Sequence, residues 1–272
     1  MWDVVTGQEG SRHKARLPGD QAAAKRRCMP KDTVSYGFQE VAPEEKTRRV
    51  GSVFERVARR YDLMNDLMSG GLHRLWKDEF VRKVRPRPGE RILDMAGGTG
   101  DIAFRMARAG AEVVVADINP HMLAEGEKRA PKALAGQLSW REENAETLSF
   151  DGASFDAYTI AFGIRNVTDI PAALREAHRV LRYGGRFFCL EFSRMEWPVA
   201  AQVYDAYSMN VVPKIGKLVA HDEEAYQYLV ESIRRFPDMA SFERMIGEAG
   251  FARTSVRPIL GGVVAIHCGW KL

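Results

Sequence analysis

Short apolar runs alternate with amphipathic stripes along most of the chain, as expected of a sheet with helices on both faces. The runs that predict strands lie at 91–95, 112–117, 138–142, 155–162 and 186–192. Apolar positions at helical spacing separate most of these runs and predict crossover helices. The order up to residue 192 is β-α-β-α-β-β-α-β, which by the right-handed crossover rule makes a doubly wound α/β sheet.

Both ends of the chain add further elements to this predicted sheet. From Pro43 an apolar stripe predicts an amphipathic helix, and a methionine-rich stripe follows it up to Gly70-Gly71. That second stripe, formed by Leu63, Met64, Leu67 and Met68, fits either core packing or the wall of a pocket. Beyond residue 192 the pattern predicts helices at 198–212, 223–236 and 239–249, followed by strands at 251–258 and 262–269.

The first 40 residues show neither helical nor strand periodicity and are rich in polar residues, glycine and proline. We therefore expect residues 1–40 to be a disordered extension and residues 41–272 to be a single domain. The hydrophobic content of 45% is ample for a packed core. The three cysteines, at 28, 189 and 268, have neither disulfide nor zinc spacing, which indicates a reducing compartment and no metal site.

The positive charge of the chain is concentrated near the N-terminus. The net charge is +4, and residues 1–90 contain 19 Lys and Arg against 13 Asp and Glu. An excess of this size is typical of a solvated surface, but it also fits contact with an anionic membrane face. No apolar run approaches the length needed to cross a bilayer, so any membrane contact is expected to be peripheral.

The strongest motif is a glycine-rich turn between a buried strand and a helix. The strand ends at Asp94, and Gly97, Gly98 and Gly100 follow it. Glycines at such a turn let the backbone approach a ligand closely. Asp117 ends the next strand about 20 residues further on, where a carboxylate can accept both hydroxyl groups of a ribose.

Two nucleotide-type ligands fit this unit, because Gly98-x-Gly100-x-x-Ala103 also matches the dinucleotide fingerprint. A carboxylate at Asp94 would repel a pyrophosphate but suits the ammonium and sulfonium groups of S-adenosylmethionine. The pattern therefore favours the methyl donor. A loop that merely turns the chain, and a nicotinamide dehydrogenase, are the alternatives.

Two other strand ends contribute polar residues to the same edge of the predicted sheet. Asn144 follows the third strand and can reach an adenine, although an asparagine here equally fits a simple turn. The fourth strand ends in the segment 163–168, Gly-Ile-Arg-Asn-Val-Thr. Ligands of open α/β sheets bind at this edge.

Six motifs in one order resemble the ubiquinone/menaquinone biosynthesis C-methyltransferase family. They begin at Tyr61, Asp94, Asp117, Phe162, Leu190 and Tyr228, and the resemblance extends from about Glu45 to Leu272. It implies a class I methyltransferase fold, Rossmann-like, with a seven-stranded sheet whose last strand inserts antiparallel, and with helical N-terminal and substrate-covering additions.

The resemblance also implies roles for individual residues. Gly97, Gly98 and Thr99 would hold the methionine part of S-adenosylmethionine, Asp117 the ribose, and Asn144 with Ala145 the adenine. Family members often have serine where this chain has Ala161, which removes one polar contact with the cofactor.

The implied reaction is methylation of a ring carbon of a polyprenylated quinol, either 2-methoxy-6-polyprenyl-1,4-benzoquinol or demethylmenaquinol. Arg165 would stabilise the phenolate or orient a water molecule, and Asn166 would fix the ring. The alternative for Arg165 is a structural ion pair with Glu191 or Asp94.

The resemblance further implies a bacterial protein in the cytoplasm, peripherally associated with the inner membrane. A homodimer or a quinone-biosynthesis complex is left open as its assembly, and no nucleic-acid partner is expected. Two other functions remain as alternatives: a methyltransferase for a different aromatic substrate, and a non-catalytic S-adenosylmethionine-binding scaffold of such a complex.

Overall fold

The computed structural model describes residues 33–57, 66, 69–193 and 223–272. Predictions about residues 1–32, the methionine-rich stripe and a helix at 198–212 lie outside these residues. The described strands are β1 (Val34–Tyr36), β2 (Gln39–Val41), β3 (Arg91–Met95), β4 (Glu112–Asp117), β5 (Leu138–Glu142), β6 (Phe155–Ala161), β7 (Leu181–Phe192), β8 (Ala252–Ile259) and β9 (Val264–Trp270). The described helices are α1 (Pro43–Val57), α2 (His73–Val84), α3 (Asp101–Ala107), α4 (Pro120–Arg129), α5 (Ile170–Val180), α6 (Glu223–Arg235) and α7 (Met239–Glu248).

Seven of the described strands form one sheet in the order β5-β4-β3-β6-β7-β9-β8. Strands β3 to β7 pair in parallel, whereas β9 lies antiparallel between β7 and β8. The predicted fold class, a doubly wound α/β sheet with an inserted antiparallel last strand, is confirmed. Strands β4 and β5 lie on one side of β3, and β6 and β7 lie on the other. The crevice above the carboxyl ends of β3, β4 and β6, where the strand order switches sides, is therefore the expected ligand site.

The sheet is buried on both faces because its central strands are apolar at successive positions. Ile92 packs on one face in a core shared with Phe80 of α2 and Met106 of α3. Leu93, the next residue, packs on the other face in a core shared with Leu174 of α5 and Phe242 of α7. This arrangement is typical of parallel strands covered by crossover helices.

Helix α5 ends at Val180, and β7 begins at the next residue. The ammonium group of Lys271 donates to the carbonyl oxygens of His178, Arg179 and Leu181 at 2.9, 3.2 and 2.7 Å. Carbonyl groups in the last turn of a helix have no donor within the helix, and Lys271 supplies one to them. Lys271 therefore helps to end a helix whose last turn lies 92 and 93 residues earlier in the chain.

The predicted boundary of the N-terminal extension, at residue 40, falls inside an antiparallel hairpin formed by β1 and β2. Its turn passes through Gly37, which has φ +57° and packs so closely on Glu231 of α6 that a Cβ atom would collide with it. Strands of three residues are too short to show a clear alternation in sequence. The hairpin contributes Tyr36 and Val41 to a third apolar cluster, shared with α1 and α6.

A membrane-spanning segment was not expected from the sequence. Among the residues that the structure describes, no helix combines the length and the apolar character needed to cross a bilayer.

Candidate active site

The glycine loop after β3 forms one wall of a cleft at the carboxyl ends of the strands. Gly97 donates its amide N–H to the carbonyl oxygen of Ala116 at 3.0 Å, which fixes the loop to the end of β4. A Cβ atom on Gly97 would lie 2.7 Å from Cγ1 of Val115. Gly98, with φ +52°, also lines the cleft, and there a Cβ atom would lie 3.0 Å from Met122. Gly97 therefore has no room for a side chain, and the positive φ of Gly98 favours glycine.

Asp117 lies across the loop from these glycines, at the end of β4. Its carboxylate accepts the amide N–H groups of Gly98 at 3.0 Å and Asn119 at 2.9 Å. Burial raises the pKa of Asp117 to about 6, although these backbone hydrogen bonds favour the ionised form. A carboxylate at the strand end can accept a ribose diol, and the Gly98 amide is already engaged and less available to a pyrophosphate.

Asp94 provides the most direct test of whether the cleft fits S-adenosylmethionine. Its Oδ1 atom accepts the hydroxyl hydrogen of Thr159 at 2.8 Å, whereas its buried Oδ2 atom has no hydrogen-bond partner among the described residues. Burial raises the pKa of this carboxyl group to about 7. A buried acceptor at the wall of the cleft fits a cationic ligand, so the donor set suits the ammonium and sulfonium groups of the cofactor.

The remaining predicted cofactor residues also line this cleft. Thr99 is buried in the loop, and Asn144 and Ala145 lie beyond the end of β5. The Oδ1 atom of Asn144 accepts the amide N–H of Glu146 at 2.9 Å, so this residue forms the turn considered as its alternative while its side chain stays at the cleft. Ala161 lines the cleft with no polar side chain to offer.

Arg165 does not line the cleft. It is buried, and its Nη1 atom donates to Oε1 of Glu191 at 2.8 Å and to the carbonyl oxygen of Phe162 at 2.5 Å. Burial raises the pKa of Glu191, and the guanidinium of Arg165 opposes that shift. This is the ion pair considered as the alternative for Arg165. It supports a backbone turn at Phe162, where φ is +56°.

Asn166, the neighbouring predicted catalytic residue, does line the cleft. The hydroxyl group of Tyr228 on α6 donates to its Oδ1 atom at 3.0 Å. Burial raises the pKa of Tyr228, which keeps the phenol protonated and therefore a donor. The ring of Tyr228 stacks on Tyr36 of the hairpin with 4.4 Å between ring centroids. The oxygen of the Asn166 amide is therefore held by Tyr228, which leaves the amide N–H groups as donors for a ligand in the cleft.

Two residues of this site carry roles that the sequence analysis did not assign. Lys77 is buried on α2 and lines the cleft beside Thr99 and Asp101. Lys77 lies one helical turn after His73, on the buried side of α2. A lysine at a buried helical position was the feature of the sequence that could have indicated its role. Tyr228 belongs to a family motif, but nothing in the local pattern indicates that it contacts Asn166.

The fold and the cleft together define a class I S-adenosylmethionine-dependent methyltransferase. A SAM-dependent methyltransferase from Thermotoga maritima shares the fold with a TM-score of 0.59 at 18% identity, covering 81% of this chain and 99% of that one. A phosphoethanolamine N-methyltransferase from Haemonchus contortus, solved with S-adenosyl-L-methionine, aligns with a TM-score of 0.55 at 14% identity, covering 72% of this chain and 52% of that one. No group of side chains suited to a metal ion occurs among the described residues.

Sequence comparison then identifies the family. The model of the ubiE/COQ5 methyltransferase family matches residues 41–271, and the chain belongs to this family. A ubiquinone/menaquinone biosynthesis C-methyltransferase UbiE from Zymomonas mobilis is 62% identical over 241 residues, covering 89% of this chain and 100% of the relative. A mitochondrial 2-methoxy-6-polyprenyl-1,4-benzoquinol methylase from rice is 49% identical, covering 98% of each chain. The predicted enzyme class and cofactor are confirmed.

Proposed function

We propose that this enzyme transfers the methyl group of S-adenosylmethionine to a ring carbon of a polyprenylated quinol. The observation that carries this proposal is the 62% identity with the Zymomonas mobilis enzyme over the whole length of that relative. The substrate class comprises 2-methoxy-6-polyprenyl-1,4-benzoquinol and demethylmenaquinol. Both have a ring carbon that becomes electron-rich when a neighbouring phenolic oxygen loses its proton.

One end of the cleft would bind the cofactor, and the other would bind the quinol. When bound, S-adenosylmethionine supplies a methyl group on a positively charged sulfur. Asp117 would hold its ribose, Gly97, Gly98 and Thr99 would hold its methionine part, and Asp94 lies where positive charge is favoured. The apolar side chains of Val50, Phe162 and Val167 line the cleft and exclude water from the reacting atoms.

Asn166 is the residue that contacts the quinol oxygen in this proposal. Tyr228 occupies its Oδ1 atom, so the amide presents N–H donors to the cleft. A fixed donor stabilises negative charge that develops on a phenolic oxygen without reorganising during the reaction. Arg165 acts one step further away, because its bonds to Glu191 and to the Phe162 carbonyl hold the backbone that positions Asn166.

Methyl transfer from radiolabelled S-adenosylmethionine to a short-tailed quinol tests the proposal. We expect a product methylated on carbon from the reduced quinol and no product from the oxidised quinone, since only the quinol can form a phenolate. The matched control is Asp117→Ala, which should lose product at limiting cofactor. Methylation on oxygen, or no product from either quinol class with a folded enzyme that binds the cofactor, would contradict the substrate assignment.

Peripheral contact with the bacterial inner membrane follows from the proposed substrate, whose polyprenyl tail lies in the bilayer. Leu72 and Leu75, beside the N-terminus of α2, are exposed on the surface. They lie within the N-terminal third, which carries the basic excess. Exposed apolar side chains in a basic region suit an anionic membrane surface.

Flotation with liposomes, with and without anionic lipid, tests this contact. We expect binding that increases with anionic lipid and decreases with salt. Hydrogen exchange with lipid should then slow within residues 41–90. Protection confined to another part of the chain would show that the proposed face is wrong.

A further inference from the structure

The cleft is rich in carboxylates and poor in cations. Among the described residues that line it, four are acidic and one is basic. The acidic residues are Asp94, Asp101, Asp117 and Glu146, and the basic residue is Lys77. The methionine arm of the cofactor ends in an ammonium group and a carboxylate. An acidic wall attracts the ammonium but repels the carboxylate, so the carboxylate needs a cation of its own.

Lys77 is held at the wall of the cleft by the packing of its own helix. Its side chain is 6% exposed, and its neighbours Trp76 and Phe80 are buried in the core beneath α2. The ring of Trp76 lies edge-on to Phe192 at the end of β7, with 6.1 Å between centroids. These contacts fix the backbone of α2 beside Lys77, so its side chain starts from a fixed position.

The ammonium group of Lys77 donates to Oδ2 of Asp101 at 2.7 Å. An ammonium group has three protons, and this hydrogen bond uses one of them. Asp101 also pairs with Arg105, which in turn binds Asp78 at 2.7 Å. Burial opposes ionisation of Asp101, but Lys77 and Arg105 lower its pKa. Asp101 is thus compensated by a second cation, and Lys77 is not needed for its charge alone.

A purely structural purpose does not explain a lysine at this position. Burying an ion pair costs desolvation energy, and an apolar side chain of similar volume often stabilises a protein as well or better. Methionine has a similar length and volume and would fill the same space. A lysine whose charge is desolvated, held by Asp101 and exposed to a ligand cleft has the properties of a binding group.

We propose that Lys77 binds the α-carboxylate of the cofactor's methionine arm, with Asp101 holding its ammonium group in place. This inference rests on the cofactor assignment and not on the identity of the quinol. The carboxylate would lie at the Thr99 end of the cleft, away from Asp117, Asn144 and Ala145 at the nucleoside end.

Calorimetric binding of two adenosyl ligands to the full chain tests this proposal. S-adenosylhomocysteine carries the amino acid arm, and 5′-methylthioadenosine lacks it. We expect Lys77→Met to weaken S-adenosylhomocysteine by about 10- to 100-fold, the scale of a lost charge-assisted hydrogen bond. The affinity for 5′-methylthioadenosine should change by less than about twofold, because Lys77 does not contact the nucleoside.

Two further variants make the result specific. Lys77→Gln keeps a donor for Asp101 but removes the charge, and it should show the same selective loss even if Lys77→Met folds poorly. Lys83→Met removes the same charge from an exposed position on α2 and should change neither affinity. Equal losses for both ligands in the Lys77 variants would show that Lys77 only supports the loop. An unchanged S-adenosylhomocysteine affinity would place the carboxylate elsewhere.

This outcome is independent of the quinol assay. A wild-type protein that binds S-adenosylhomocysteine but methylates no quinol would contradict the substrate proposal and leave the assignment of Lys77 intact.

Discussion

The two halves of the cleft are built in different ways. The cofactor half consists of backbone turns at the ends of neighbouring strands, and Asp94, Gly98 and Asp117 lie within 24 residues of one another in the chain. The substrate half is the segment 163–168, and side chains from distant parts of the chain hold it in place. Local sequence therefore determines the first half, whereas the second exists only when remote elements have packed.

Four contacts of the substrate half show this dependence. The ammonium group of Lys46 on α1 donates to the carbonyl oxygen of Val167 at 2.7 Å, across 121 residues of sequence. The hydroxyl groups of Thr47 and Thr168 lie 3.4 Å apart. Glu191 and Tyr228 reach the same segment from β7 and α6 through Arg165 and Asn166. Substitutions in the substrate half should reduce turnover with little effect on cofactor binding. Substitutions in the glycine loop should weaken cofactor binding with little effect on turnover at saturating cofactor.

The largest expected effect comes from Arg165→Lys, which retains the charge but loses the planar guanidinium whose Nη1 atom holds Glu191 and the Phe162 carbonyl together. Because Arg165 holds the backbone that positions Asn166, we expect turnover to fall by about 10²- to 10³-fold, on the scale of losing the Asn166 donor, with cofactor affinity nearly unchanged. Steady-state kinetics and calorimetry on the same preparation separate the two. If the variant unfolds or loses cofactor binding while surviving enzyme turns over normally, Arg165 serves only as a structural ion pair.

Asp117→Ala should break the cofactor half instead. Charge-assisted hydrogen bonds from a ribose diol contribute about 1.5–3 kcal/mol each, so we expect the affinity for S-adenosylmethionine to fall at least about tenfold. The quinol concentration at half-maximal rate, measured at saturating cofactor, should stay near the wild-type value. Unchanged cofactor affinity in a folded variant would remove the ribose role of Asp117.

Two carboxyl groups of the cofactor half, those of Asp94 and Asp117, should make cofactor binding depend on pH. The pKa values of Asp94 and Asp117 are raised to about 7 and about 6, so both carboxyl groups lose protons as the pH rises through this range. The ionised forms of Asp94 and Asp117 attract the cationic cofactor. The other charged residues that line the cleft are Asp101 and Glu146, which add to this attraction, and Lys77, which reduces it. We expect affinity to rise about tenfold from pH 6 to pH 8 and then to level off.

Calorimetry in buffers of different ionisation enthalpy measures this effect as protons released on binding. Asp94→Asn should remove the part of the dependence near pH 7 and leave the part near pH 6. A variant whose pH profile matches the wild-type profile would show that Asp94 does not take part.

The smallest expected effect is that of Tyr228→Phe, which removes the hydroxyl group from Asn166 but keeps the ring stacked on Tyr36. A neutral hydrogen bond contributes about 0.5–1.5 kcal/mol, so kcat should fall about 3- to 10-fold with cofactor affinity unchanged. The matched control is Tyr158→Phe, a buried tyrosine of the core that packs on Phe187. Equal effects of the two substitutions on kcat would indicate a general packing defect.

The sequence by itself determined the central sheet and the cofactor half of the cleft. The strand at Arg91–Met95, the glycine turn and the acid at Asp117 are patterns of residues close together in the chain, and the structure brings the turn and the acid into contact. The cap at Asn119, followed by Pro120, is equally local: the Asn119 side chain accepts from the amide groups of His121 and Met122.

Only the tertiary structure decided which side chains meet across the rest of the site. Arg165 had Glu191 and Asp94 as candidate partners, and the register of β7 beside β6 selected Glu191. The contact of Tyr228 with Asn166 and the place of Lys77 in the cleft likewise depend on how α6 and α2 pack. Periodicity reports the face on which a residue lies, but the identity of a distant partner follows from the packing of whole elements.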